Sequence, residues 1–190
     1  MNEIPELEAL SDTPQDPRWH PEGNALIHTQ QTVTCMTWAL LFMGCPLDTP
    51  MACKMLLSAL LHDIAKPETT VVHPPLGDLA PAKITAYNHD KVGEDKSKKI
   101  LERLSLRKYY ITRVPGLVGL HMRPFLLSRD GVTQKAYTRL KKKLIQANTD
   151  GEDLLLLALA DKLGRGAREP KEILTIMKWV MEFKNRLERA

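Results

Sequence analysis

The stretch Met55-Leu56-Leu57-Ser58-Ala59-Leu60-Leu61-His62-Asp63-Ile64-Ala65-Lys66 narrows the possible folds more than any other part of the chain. Its apolar residues suit a buried helix, yet it ends on two adjacent polar groups that are costly to bury unless something binds them. The run Leu154-Leu155-Leu156-Leu157-Ala158-Leu159-Ala160-Asp161 repeats the device, an apolar helix closing on a carboxylate. Leu, Ala, Met, Lys, Arg and Glu are plentiful, aromatic residues make up only 5%, and alternating Val/Ile/Tyr/Thr runs are missing. That pattern predicts an all-α fold. With 190 residues and 43% hydrophobic content, the chain can bury one core as a single-domain bundle.

Proline and glycine set the expected boundaries. Residues 1–23 carry Pro5, Pro14, Pro17, Pro21 and Gly23 and read as an extended arm with one helical turn at Glu6 to Leu10; residues 24–190 form the domain. Seven helices are expected: from Asn24 to about Met43, from Pro50 to Lys66, then near 89–104, 107–121, 133–148, 151–164 and 170–188. The segment from Pro67 to Tyr87, broken by Pro74, Pro75, Gly77 and Pro81, reads as a functional loop, a lid beside the site.

The +4 charge favours a phosphate-bearing ligand but is too weak for a dedicated DNA-binding surface. Arg139-Leu140-Lys141-Lys142-Lys143 reads as a solvated helix face in preference to a nucleic-acid contact. Three cysteines without a Cys-x-x-Cys pair argue against a disulfide framework or a zinc knuckle. No stretch reaches the roughly 18 apolar residues of a membrane span, and the N-terminus lacks the features of a signal peptide. A cytoplasmic protein is expected.

His28, His62, Asp63, His89, His121 and Asp161 all stand at the edges of helix-like apolar runs. His28, His62, Asp63 and Asp161 would give one ion four N/O ligands. Asp63, with a carboxylate oxygen to spare, could share a second ion with His89 and His121 at the roughly 3.5 to 4 Å spacing of two-metal hydrolases. Imidazole with carboxylate suits Mn, Fe, Co, Ni or Zn. Lys66, within a helical turn of Asp63, is the expected charge-neutralising contact to phosphate, with Arg123 and Arg165 as further candidates. Taken singly, each has a plainer reading: His-Asp as a helix-end pair, His28 or His121 as a satisfied histidine, Asp161–Lys162 as a surface pair, Lys66 as a complement to the helix dipole. His20 and His73 lie in Pro-flanked segments outside the metal set, with His20 in reach of substrate.

These residues give the chain its likeness to the HD-domain phosphohydrolases, named for the His-Asp pair. Gln15-Asp16-Pro17-Arg18-Trp19-His20-Pro21-Glu22-Gly23-Asn24, His28-Thr29, Tyr87-Asn88-His89-Asp90-Lys91-Val92-Gly93, Arg103-Leu104, His121-Met122-Arg123-Pro124 and Asp153 to Gly164 together resemble the HD domain at the C-terminal side of bacterial CCA-adding tRNA nucleotidyltransferases. The resemblance covers roughly residues 4 to 166. The Gly-rich and paired-Asp motifs of the nucleotidyltransferase head have no counterpart here, so terminal nucleotide addition is not expected. The resemblance implies a helical bundle and a metal-dependent phosphatase or 2′,3′-cyclic phosphodiesterase acting on nucleotides or RNA ends, with tRNA or other RNA as the candidate contact. Two other readings stay open: a hydrolase of free nucleotides, and a non-catalytic RNA-binding module.

Overall fold

A computed structural model describes residues 3–75, 82–129, 131–166 and 170–190. The arm begins as a 3-10 helix over Pro5–Leu10 whose Leu10 is fully buried. Asn24 caps helix α1 (Ala25–Phe42) by accepting from the Ile27 amide, and Thr49 caps α2 (Pro50–Leu61) by accepting from Ala52, with Pro50 in the first turn. Short α3 (Lys66–Thr69) leads into strands β1 (Thr70–His73) and β2 (Lys83–Ala86), which pair antiparallel. Then come α4 (His89–Arg103), α5 (Lys108–Ile111), α6 (Val114–Leu120), α7 (Arg123–Leu127), α8 (Gln134–Gln146), α9 (Gly151–Leu163) and α10 (Pro170–Glu188). Asp150 caps α9 through the Asp153 amide.

Seven of these helices have seven or more residues, and α3, α5 and α7 are short additions among the described residues. The all-α expectation holds, with three corrections. The single helix expected over 107–121 is two, α5 and α6, because Pro115 opens a new helix. The segment after Lys66 is not simply a loop: it contains the β1–β2 hairpin, whose register pairs Thr70 with Ala86 and His73 with Lys83. Residues 76–81, which carry Gly77 and Pro81, lie outside the described residues. The expected helix to Lys66 stops at Leu61, so His62 is its C-cap and Asp63 stands in the turn before α3. Leaving the helix there lets the two adjacent side chains converge, which continuous α geometry, turning about 100° per residue, would oppose.

The core has two parts. One joins α1, α2, α6, α8, α9 and α10 through Met36, Met55, Leu117, Tyr137, Leu157 and Phe183. The other gathers Leu10, Leu61, Ile64, Ile100, Val114 and Val118. Helix α4 packs along α6, and α1 packs on both α2 and α9. Gly164, just past α9, allows the last of these approaches: a Cβ there would stand 2.6 Å from Thr32 Oγ1 and 2.9 Å from the Thr32 amide of α1. No helix among the described residues is long and apolar enough to cross a membrane.

Candidate metal centre

The six expected ligands come from five places in the chain and meet in the interior. His28 lies in the first turns of α1, His62 and Asp63 follow α2, His89 opens α4, His121 caps α6 and Asp161 is in the last turn of α9. His28 and His62 are fully buried, Asp63, His121 and Asp161 nearly so, and His89 is 7% exposed. Asp63 stands at the centre. Its Oδ2 is 3.1 Å from His62 Nε2 and 3.7 Å from His28 Nε2, while its Oδ1 is 3.4 Å from His89 Nε2 and 3.9 Å from His121 Nε2. Each carboxylate oxygen thus faces its own histidine pair. Asp161 Oδ1 lies 3.2 Å from His28 Nε2, on the Oδ2 side.

The outer nitrogens define the chemistry. His62 Nδ1 is 2.8 Å from Ala59 O, His89 Nδ1 2.6 Å from Ala86 O, and His121 Nδ1 2.7 Å from Val118 O. A carbonyl only accepts, so each of these Nδ1 atoms carries the donated proton and a neutral ring turns its Nε2 lone pair inward. The inward nitrogens then crowd one another: His62 Nε2 is 3.3 Å from His28 Nε2, and His89 Nε2 is 3.2 Å from His121 Nε2. Lone pairs facing one another call for a proton or a cation between them. Asp63 Oδ2 is buried and accepts no aligned hydrogen bond. The sets His28–His62–Asp63 and Asp63–His89–His121 each place their donor atoms within 4.8 Å of one another and could each hold a metal ion.

Protonation accounts for the rest of the charge. Burial opposes a charged His28, but hydrogen bonds to Asp161 and Glu22 prevail and raise its pKa to about 9. His121 goes the other way, to about 3, because burial and the neighbouring His89 and His62 oppose a proton on it. Burial works against ionised Asp63 and Asp161 too, yet His62 and Lys66 hold Asp63, and Arg165 and His28 hold Asp161, well below the usual carboxylate range. Lys66 Nζ is 2.7 Å from Asp63 Oδ2 and donates to Gln15 Oε1 at 2.5 Å; Arg165 Nη2 is 3.0 Å from Asp161 Oδ1.

The centre opens into a cleft of about 840 Å³ lined by Trp19, His20, Lys66, Arg123, Arg165 and the β2 strand, among others. The three cations expected to meet phosphate, Lys66, Arg123 and Arg165, all line it. Arg123 Nε is buried without a hydrogen-bond partner. Phe125 stacks on Trp179 of α10 at 5.4 Å, with Arg165 over the Phe125 ring and Lys162 over Trp179. Arg139, Lys141, Lys142 and Lys143 are exposed on α8 and do not line the cleft. His73 faces Thr85 across the hairpin.

Sequence reasoning passed over three contributors. Glu22 contacts His28, Gln15 holds Lys66, and Trp179 closes the cleft wall. Only Glu22 carried a local signal, its place between His20 and His28 in the Pro-flanked arm.

The fold and the centre define an all-α bundle carrying one short hairpin, with a buried His/Asp constellation that could hold divalent metal beneath a cationic cleft. No family model matches the chain. It is 32% identical over 113 residues to an A-adding tRNA nucleotidyltransferase of Deinococcus radiodurans, 60% of this chain and 23% of that protein. It is 27% identical over 173 residues to a multifunctional CCA protein of Halorhodospira halophila, 89% of this chain and 36% of that protein. The chain therefore matches about a quarter to a third of the length of these curated relatives, and the likeness is distant and to nucleotide- and RNA-related enzymes.

Proposed function

We propose that this protein is an HD-type, metal-dependent phosphohydrolase that opens 2′,3′-cyclic phosphodiesters and removes phosphate from nucleotides or RNA ends. The observation that carries this reading is Asp63, whose two oxygens each face a separate pair of inward-pointing imidazoles. One ion would be held by His28, His62, Asp63 and Asp161, and a second by Asp63, His89 and His121. A bound ion of the Mn, Fe, Co, Ni or Zn type supplies Lewis acidity and lowers the pKa of water toward neutrality.

The chain's own residues do the rest. Arg123, with its buried unpartnered Nε, is suited to a nonbridging phosphate oxygen. Lys66 and Arg165 neutralise Asp63 and Asp161 here and stand beside the position a phosphoryl group would take. Water attacks phosphorus as the bond to one ribose oxygen breaks; that oxygen takes up the water's proton, leaving a phosphomonoester. A cleft of about 840 Å³ lies toward the large end of ligand pockets and favours more than a single small phosphate.

The test is product release from 2′,3′-cyclic AMP, an RNA ending in a 2′,3′-cyclic phosphate, and mixed dNTPs, with Mn, Co or Ni, for wild type and Asp63→Ala. Metal-dependent opening of the cyclic substrates, absent in the variant, is expected. Turnover of dNTPs alone would move the protein to free-nucleotide hydrolysis, and silence on all three would leave an RNA-binding module.

A further inference from the structure

The four histidines of the centre are not equivalent. His62, His89 and His121 each place Nδ1 on the backbone carbonyl three residues earlier. His28 Nδ1 has two neighbours: the Gly164 carbonyl, to which it is aligned for a hydrogen bond at 3.3 Å, and a carboxylate oxygen, Glu22 Oε1, in ion-pair contact at 2.8 Å. Glu22 comes from the arm, and its side chain is wholly removed from solvent. The same Oε1 is 2.9 Å from His20 Nδ1, while Oε2 is buried without a hydrogen-bond partner. Burying a carboxylate this deeply is unfavourable unless its charge is used. One carboxylate oxygen therefore takes a hydrogen bond from His20 and sets its charge against His28.

His20, Glu22 and His28 could be read as a third metal set, since their donor atoms also lie within 4.8 Å of one another. The geometry of His28 argues otherwise. Its Nε2 points to Asp161 and Asp63, so Nδ1 is the nitrogen left to donate a proton, and a protonated nitrogen does not ligate. A carboxylate on the outer nitrogen of a ligating histidine fixes the ring and raises the basicity of the inner one.

We propose that Glu22 is a positioning residue that makes the His28 side the tighter of two ion positions, so that His28, His62, Asp63 and Asp161 fill before Asp63, His89 and His121. The two sides differ in the direction this requires. The first offers two carboxylates and one carboxylate-backed imidazole; the second offers one carboxylate and two imidazoles backed only by carbonyls. The inference rests on the metal-dependent reading above.

Calorimetric titration of Mn2+ into the full chain, stripped with chelator, tests it. Wild type should bind two equivalents in unequal steps. Glu22→Gln keeps the shape and an acceptor but removes the charge; it should weaken the first step by about 10- to 100-fold and leave the second essentially unchanged. With Co2+, the visible absorption of the first equivalent should shift in this variant and that of the second should not. His28→Ala should abolish the tight step and retain the weak one, which covers the case of a poorly folded Glu22 variant. An unchanged first step in Glu22→Gln, equal weakening of both steps, or loss of the weak step in His28→Ala would each overturn the assignment. Wild type that binds Mn2+ in two steps with no response to Glu22→Gln defeats this inference alone. Wild type that binds no ion defeats the proposed function and this inference with it.

Discussion

Helix α9, and helix α2 with the turn that follows it, each bury two charges, one near either end, and the two ends behave differently. Near the start of both, Lys54 meets Asp153 in an ion pair, each residue 6% exposed, and Thr149 donates to the same carboxylate. Eight or nine residues on, Asp161 in the last turn of α9 and Asp63 in the turn after α2 meet four histidines. The first cluster is closed, one cation on one anion. The second brings together acceptors and inward lone pairs that the backbone has already oriented. Burial of charge alone does not make a site; the excess of acceptors over protons does.

Removing Asp63 should break the open end most severely. If the proposed function holds, Asp63→Ala lowers the proposed hydrolysis by on the order of 10³-fold, the several kcal/mol a metal would contribute to the transition state, measured as kcat/KM under excess Mn. Asp153→Ala should break the closed end instead. It strands a buried ammonium and should cost about 3 to 5 kcal/mol in urea unfolding, with activity per folded molecule retained. If Asp153→Ala abolished turnover while stability held, the contrast between the two ends would fail.

Gly164→Ala probes the seam that brings α9 to α1. Its Cβ would meet Thr32, so about 1 to 3 kcal/mol of stability should be lost, together with weaker metal binding because His28 and Asp161 are spread apart.

The smallest effect expected is on pH dependence without metal. His28, raised to about 9, holds its proton in the folded state where the unfolded chain has lost it; its stabilisation is complete below about 6.5 and disappears as pH rises to about 9. His20, lowered to about 4 by burial and by Lys66, and His121, lowered to about 3, behave oppositely, and stability falls as pH drops from 6.5 through those values. Glu22, held near 2 by His28 and His20 against the effect of burial, adds a further loss below the usual carboxylate range. Melting temperature in chelator should therefore peak near pH 6.5, and Mn should remove the alkaline fall, because the ion takes the place of the His28 proton. A profile flat from pH 6 to 9 would contradict the His28 arrangement.

Much of this was legible in the chain. Apolar spacing with Pro and Gly breaks located the seven longer helices to within a few residues, because burying one face of a helix imposes a local repeat. The exceptions are where local signals conflict: what read as one helix over 107–121 is α5 and α6, with Pro115 in the first turn of α6; α7, opened by Pro124, follows beyond it; and the hairpin formed where prolines obscured Thr70–His73. That His28, His62, Asp63, His89, His121 and Asp161 need partners was legible for the same reason, since a polar residue ending an apolar run is costly to bury alone.

The sequence by itself determined the helical class, the order His, His-Asp, His, His, Asp, and the absence of cysteine from that set. Only the tertiary structure decided that Asp63 gives one oxygen to each histidine pair, that Lys54 and Asp153 close on each other, and that Glu22 stands behind His28. The physical reason is distance along the chain. Periodicity and capping act over a few residues, whereas Lys54 and Asp153 are 99 positions apart, and their pairing depends on how whole helices pack.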